Sequence, residues 1–105
     1  ASNLESILER IDQFLYQCDY TYITVCSDVF SSAFAPGVSA PQSLGLDPEI
    51  VLPLIKHVLR TRKVRGFDIC EISPRFDQDN TTANLGAVII FAVVNTLCRL
   101  NGLSI

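Results

Sequence analysis

Cys26 and Asp28 stand two residues apart at the end of an aromatic and β-branched run, Tyr20-Thr-Tyr-Ile-Thr-Val25. Along an extended strand, residues i and i+2 project to the same side. A thiol and a carboxylate at this spacing are placed to share one metal ion or one pair of ions. Glu71 closes a second apolar run, residues 64–72. A carboxylate there offers two oxygens whose geometry matches a guanidinium or amidinium group. All three residues fall at carboxyl ends of strands, beyond which open parallel sheets bind their ligands. Plainer readings stand beside these. Asp28 suits a turn or cap, Cys26 suits a small buried hydrophobe, and Glu71 has Arg75 nearby to pair with. A two-residue spacing is a weak signal beside a full ligand cluster. His57, the sole histidine, lies with Lys56 and Arg60 on the polar side of its segment and reads as a solvated surface residue.

The elements that must position these residues follow from periodicity. Leu4, Ile7, Leu8, Ile11, Phe14 and Leu15 recur at helical spacing, and Ser2 with Glu5 forms a capping box, so residues 3–17 are expected as an amphipathic helix. The run from Tyr20 is expected as a buried strand ending near Asp28. Residues 31–46, rich in Ser, Ala, Pro and Gly, show no period. Loops of that length inside compact domains are usually functional or disordered. Asp47 before Pro48 marks an N-cap, and Ile50, Val51, Leu54, Ile55, Val58 and Leu59 continue as a helix, with Pro53 a place for a kink. In the second strand, Phe67, Ile69 and Glu71 share one face, and Asp68, Cys70 and Ile72 the other. After Ser73-Pro74 and a polar segment, residues 82–100 are expected as a long, buried, apolar helix closed by Asn101-Gly102.

The order helix, strand, long loop, helix, strand, helix makes one βαβ crossover with a helix on either side. Two parallel strands do not make a core, since parallel sheets are covered on both faces. A helix as apolar as residues 85–94 needs more protein around it than these 105 residues supply. The expectation is the C-terminal part of a larger α/β domain, with residues 1–105 as one fragment of it.

Composition narrows the function classes. Eight Lys and Arg against eleven Asp and Glu give a net charge of −3, with no basic stripe for phosphates, so neither nucleic acid nor an anionic membrane surface is expected as a partner. The apolar run 87–94, between Gly86 and Asn95, is short of the ~20 residues that span a bilayer. The N-terminus shows no basic segment followed by an apolar core. Cys18, Cys26, Cys70 and Cys98 form no Cys-x-x-Cys pair and read as reduced thiols of a cytoplasmic protein.

The run from Tyr22 through Cys26, Asp28 and Ala-Pro36-Gly-Val-Ser-Ala-Pro41 resembles the C-terminal part of the ureohydrolases, the family of arginase, agmatinase and formimidoylglutamase. So do Gly66-Phe-Asp68-Ile-Cys-Glu71-Ile-Ser-Pro74, Arg75-Phe-Asp77 and Thr81-Thr-Ala. The resemblance covers nearly the whole chain, the first helix in type only. The Ala-Pro-Gly-Val-Ser-Ala-Pro loop and the Ser-Pro-Arg-Phe-Asp segment look most like formimidoylglutamase, which cleaves N-formimidoyl-L-glutamate to L-glutamate and formamide in histidine degradation. The resemblance implies a three-layer α/β/α fold with two manganese ions at the carboxyl edge of a parallel sheet. Asp28 falls on the second Asp of the family's Asp-x-Asp metal motif, and Glu71 on the Glu that receives the guanidinium or formimidoyl nitrogen. Cys26 stands where the first Asp is usual, and a soft thiolate suits zinc or iron better than manganese. Ser31-Ser32 replaces an Asp-Pro that often follows the motif. The family's His and Asp-x-His-x-Asp ligands do not occur in the chain.

Two functions are therefore carried forward. In the first, the chain supplies part of a metal-dependent amidine hydrolase and acts on a small-molecule substrate when joined to the remainder of the ureohydrolase chain, with a homo-oligomer as a further possibility. In the second, it is a non-catalytic interaction or ligand-binding module with this fold, its sheet edge and apolar helix covered by a partner or a second copy.

Overall fold

The computed structural model describes residues 2–103, with side chains from Leu4 onward, so the capping box expected at Ser2 lies outside the described residues. The elements are α1 (Ser2–Tyr16), β1 (Thr21–Cys26), α2 (Pro48–Leu59), β2 (Val64–Cys70) and α3 (Thr81–Leu100). Short 3-10 turns follow each strand at Ser27–Val29 and Pro74–Phe76. The two strands pair in parallel, with Ile23 opposite Phe67, Val25 opposite Ile69 and Cys26 opposite Cys70.

Strand alternation sorts the sheet into two unequal faces. Ile23, Val25, Phe67 and Ile69 pack into the core, while Tyr22 and Thr24 are exposed. On the open face the Tyr22 ring lies across Gly66, filling the space a Cβ would need, and its hydroxyl donates to Asp68 Oδ2 at 2.8 Å. The core itself joins Val25 and Phe30 to Val51, Ile55 and Leu59 of α2 and Ile89 and Val93 of α3. Burying each such large side chain contributes about 1.5–3 kcal/mol.

Helix α2 starts as its residues require. Pro48 opens the first turn, and Asp47 Oδ1 accepts the Glu49 N–H at 2.8 Å. Its buried stripe is Val51, Ile55 and Leu59, whereas Ile50, expected in that stripe, is exposed. The helix runs through Pro53. The Glu49 carbonyl, which loses its helical donor there, belongs to an exposed residue. Among the described residues of α1 only Leu15 is fully buried, while Leu4, Leu8 and Ile11 are half-buried and Ile7 and Phe14 are exposed. Two polar ties fasten it: Lys63 Nζ donates to the Leu15 carbonyl at 2.5 Å, and His57 Nε2 meets Asp12 Oδ1 at 2.6 Å. His57 is thus a half-buried bridge from α2 to α1 and not a free surface residue. Its partner lies 45 positions away, beyond the reach of local pattern.

Helix α3 is only partly the buried helix expected. Thr82, Gly86, Ile89, Val93 and Thr96 form one buried stripe at spacings of four and three. Phe91 is 59% exposed, and Val88, Ile90 and Val94 are exposed with it. The eight-residue apolar run understated the element. At twenty residues, α3 is long and apolar enough to cross a membrane by length and composition.

Candidate functional site

Cys26 ends β1, and the turn at Ser27–Val29 then folds the chain back. This turn, more than strand alternation, brings the two side chains together: Cys26 Sγ donates to Asp28 Oδ1 at 2.8 Å. Both are half-buried. The bond to the Asp28 carboxylate and, after it, burial push the Cys26 thiol up to about 11, so it stays protonated at neutral pH. Ser27 between them is 2% exposed, and its hydroxyl has no hydrogen-bond partner among the described residues. Across the sheet, Cys70 lies in register with Cys26 and directs its Sγ to the Val25 carbonyl at 3.7 Å.

Glu71 follows Cys70 directly and so stands at the same edge, one strand away from the Cys26–Asp28 pair. Its φ of 65° places it in the left-handed region, which disfavours a side-chain-bearing residue by about 1–2 kcal/mol. That turn ends the alternation of β2. Ile72, expected on the face opposite Ile69, instead packs with Ile69 against α3 at Gly86. Glu71 is exposed and makes no hydrogen bond or ion pair among the described residues. Arg75, its alternative partner, lies over the Phe76 ring at 5.5 Å. The carboxylate is thus available to a ligand.

The long loop is built, not structureless. Ser31 N donates to the Leu46 carbonyl at 3.0 Å and Leu46 N to the Val29 carbonyl at 2.8 Å. Gly45 lets the strands of this loop close, since a Cβ there would strike the Phe30 and Ser31 backbone. Ser31 also forms the turn: its carbonyl accepts Phe34 N and Ala35 N, and its Oγ accepts Ala33 N at 3.3 Å. Ala35 and Val38 are buried. The loop then reaches the Glu71 segment, where Ser73 N donates to the Gly37 carbonyl at 2.6 Å and Gly37 N donates to Thr82 Oγ1 at 2.7 Å.

Asp77 and Thr82 were not singled out from the sequence. Asp77 caps α3 from four residues before its first residue, accepting the N–H groups of Gln78, Thr82 and Ala83. Asp79 and Asn80, both at positive φ, make the turn that permits it. An N-cap ordinarily stands immediately before its helix, so spacing hid this one. The Asp in the Arg75-Phe-Asp77 segment just ahead of Thr81-Thr-Ala was the available signal.

The donor chemistry fits a share of a metal centre. Asp28 offers hard carboxylate oxygens, suited to manganese, and Cys26 offers a soft sulfur once its proton leaves. Among the described residues no three His, Cys, Asp or Glu side chains converge. A metal held at this pair would draw its further ligands from elsewhere. An apolar hollow of about 340 Å³ lies between β1 and α2, lined by Ile23, Val25, Cys26, Leu46 and Val51 among others.

Comparison with known proteins places this geometry. Residues 1–95 match the Arginase family. A formimidoylglutamase of Clostridium tetani (strain Massachusetts / E88) is 62% identical over 99 residues, covering 94% of this chain and 29% of that protein. The crystal structure of formimidoylglutamase from Bacillus subtilis subsp. subtilis str. 168 superposes with a TM-score of 0.83 at 24% identity, over 90% of this chain and 30% of that one. The agmatine ureohydrolase of Thermoplasma volcanium gives a TM-score of 0.80 at 28% identity, over 94% and 32%. The chain therefore spans about 30% of the length of the relatives it matches.

Proposed function

Because the chain belongs to the arginase family, we propose that it supplies part of the active site of a hydrolase of linear amidines, with N-formimidoyl-L-glutamate as substrate and L-glutamate and formamide as products. The high identity to a formimidoylglutamase supports this substrate over agmatine or arginine. The observation that carries the reading is a hydrogen-bonded Cys26–Asp28 pair and, one strand away at the same carboxyl edge, a Glu71 carboxylate with no partner among the described residues.

In this reading Asp28, with Cys26 beside it, holds metal, and Glu71 binds the formimidoyl group. Two manganese ions, when bound, lower the pKa of water toward neutrality. Glu71 presents two acceptor oxygens to the substrate's N–H groups, fixing the amidine carbon for attack. Its exposed carboxylate needs no internal partner to be displaced first. The Cys26 thiol gives up its proton for sulfur to act as a ligand, so metal affinity rises with pH. The remaining ligands and the pocket for the glutamate carboxylates belong to the remainder of the chain, which also covers the exposed side of α3 and the open sheet face. Free thiols at all four cysteines agree with a reducing, cytoplasmic setting.

A second reading has its own support. A thiol at position 26 is a soft donor that suits manganese poorly, and the exposed Phe91 and Val88 suit a partner surface. In that case Glu71 binds an amidine without turnover. Kinetics of the whole protein separate the two. Wild type is expected to release formamide from N-formimidoyl-L-glutamate, and Glu71→Gln to lose substrate binding and turnover with its metal retained. A Glu71→Gln protein of unchanged kcat/KM removes the substrate role of Glu71, and a wild type that binds without releasing formamide favours the second reading.

A further inference from the structure

Glu71 holds a strained backbone angle, yet none of its own side-chain contacts fixes it. The constraint comes from its neighbours. On one side β2 ends in register at Cys70. On the other, Ser73 N donates to the Gly37 carbonyl at 2.6 Å. Gly37 is itself fixed, because its N–H donates to Thr82 Oγ1 at 2.7 Å and Thr82 is 1% exposed. Thr82 is fixed in turn by Asp77 Oδ1, which accepts its N–H at 2.9 Å, while Asp77 Oδ2 accepts that of Ala83 at 3.1 Å. Asp77 also presses on Gly37: a Cβ at position 37 would come within 2.7 Å of Asp77 Cβ, Cγ and Oδ1.

These contacts close a circuit. Asp77 sets the first turn of α3, that turn presents the Thr82 hydroxyl, the hydroxyl holds Gly37, and Gly37 holds the residue two positions after Glu71. The circuit joins the loop that begins beyond Asp28 to the segment carrying Glu71, so it links the two halves of the candidate site. A Cβ at position 37 would collide with Asp77, and the Thr82 hydroxyl satisfies the Gly37 N–H from α3. We propose that Gly37, Thr82 and Asp77 are positioning residues for the Glu71 carboxylate, setting it to receive an amidinium cation. This rests on the function proposed above for Glu71.

The test uses the whole, metal-loaded protein. Thr82→Val keeps the shape and removes the acceptor, Thr82→Ser restores it, and Asp77→Asn weakens the cap should Thr82→Val fail to fold. The readouts are KM and kcat for N-formimidoyl-L-glutamate, the inhibition constant of formamidinium, metal content and the thermal midpoint. Releasing Gly37 lets the Glu71 carboxylate move out of place, which is expected to raise KM and the inhibition constant about tenfold in Thr82→Val. Metal content stays at the wild-type value and Thr82→Ser returns both constants to within about twofold. A lower thermal midpoint with both constants unchanged, in Thr82→Val or in Asp77→Asn, overturns the proposal and leaves the circuit a buttress. Glu71→Gln serves as reference. If it too leaves both constants unchanged, the reading of Glu71 fails and the positioning role falls with it. If it raises them while the circuit variants do not, the positioning role alone is wrong.

Discussion

The bond between Cys26 and Asp28 has a chemical signature that can be read without turnover. Together with burial, it raises the thiol from an ordinary value of 9.0 to about 11, so at pH 8 Cys26 holds about a hundredfold less thiolate than an unperturbed cysteine. A more basic thiolate is also a better nucleophile, by about eightfold for that difference at a Brønsted slope near 0.45. The net expectation is alkylation slower than in Asp28→Ala by up to about tenfold, since burial still raises the thiol once the acceptor is gone. The assay is iodoacetamide labelling of chelator-treated whole protein from pH 7 to 11, followed by mass spectrometry of the Cys26 peptide. The sign follows for stability as well. A thiol whose folded value is raised stabilises the fold below its ordinary value, and that contribution is lost as pH climbs through about 11. Equal rates in wild type and Asp28→Ala at pH 8, or a wild-type Cys26 titrating near 9, would refute the reasoning.

Three other outcomes follow from burial and capping. Burial pushes the Asp77 carboxyl up, but the N–H groups of Thr82, Ala83 and Gln78 outweigh it and hold it below its ordinary value. Its stabilising contribution is therefore present above about pH 4 and lost as pH falls through the lower folded value, so Asp77→Asn should flatten the acid limb of a denaturation-midpoint profile between pH 2 and 6. Ile89→Ala, at a fully buried position, should cost about 2–5 kcal/mol in urea unfolding. Phe91, 59% exposed here, discriminates the two functional readings: Phe91→Ala should cost about 3–5 kcal/mol in the whole protein if the remainder of the domain covers it, and under about 0.5 kcal/mol if it faces water.

The readable parts of the sequence were those governed by neighbours. Asp47-Pro48 announced the start of α2 because cap and first turn are local, and the β-branched runs announced both strands, which begin and end within about two residues of expectation. Cys26 and Asp28 were grouped by a strand argument, yet a 3-10 turn is what joins them. Where partners are distant the pattern was silent. The loop at residues 31–46 has no period because its order comes from irregular bonds such as Ser31 to Leu46 and from Thr82 and Ser73, some 36 to 45 positions beyond Gly37. The left-handed turn at Glu71 was equally hidden, since nothing about a glutamate favours it. It is imposed by the backbone on either side, and it moves Ile72 to the face that alternation denied it. The exposure of Phe91 and Val88 was foreshadowed by a helix apolar on all sides in a chain with only two strands to pack against.

The most direct test of the central claim compares the whole protein with its Asp28→Ala variant, measuring bound manganese by elemental analysis and formamide released from N-formimidoyl-L-glutamate on the same preparations. The expected result is about two metal ions per wild-type chain, as the two-metal chemistry requires, with metal content and formamide release falling together in Asp28→Ala. Unchanged metal content and unchanged formamide release in the variant would contradict the assignment of this sheet edge as part of the hydrolytic site.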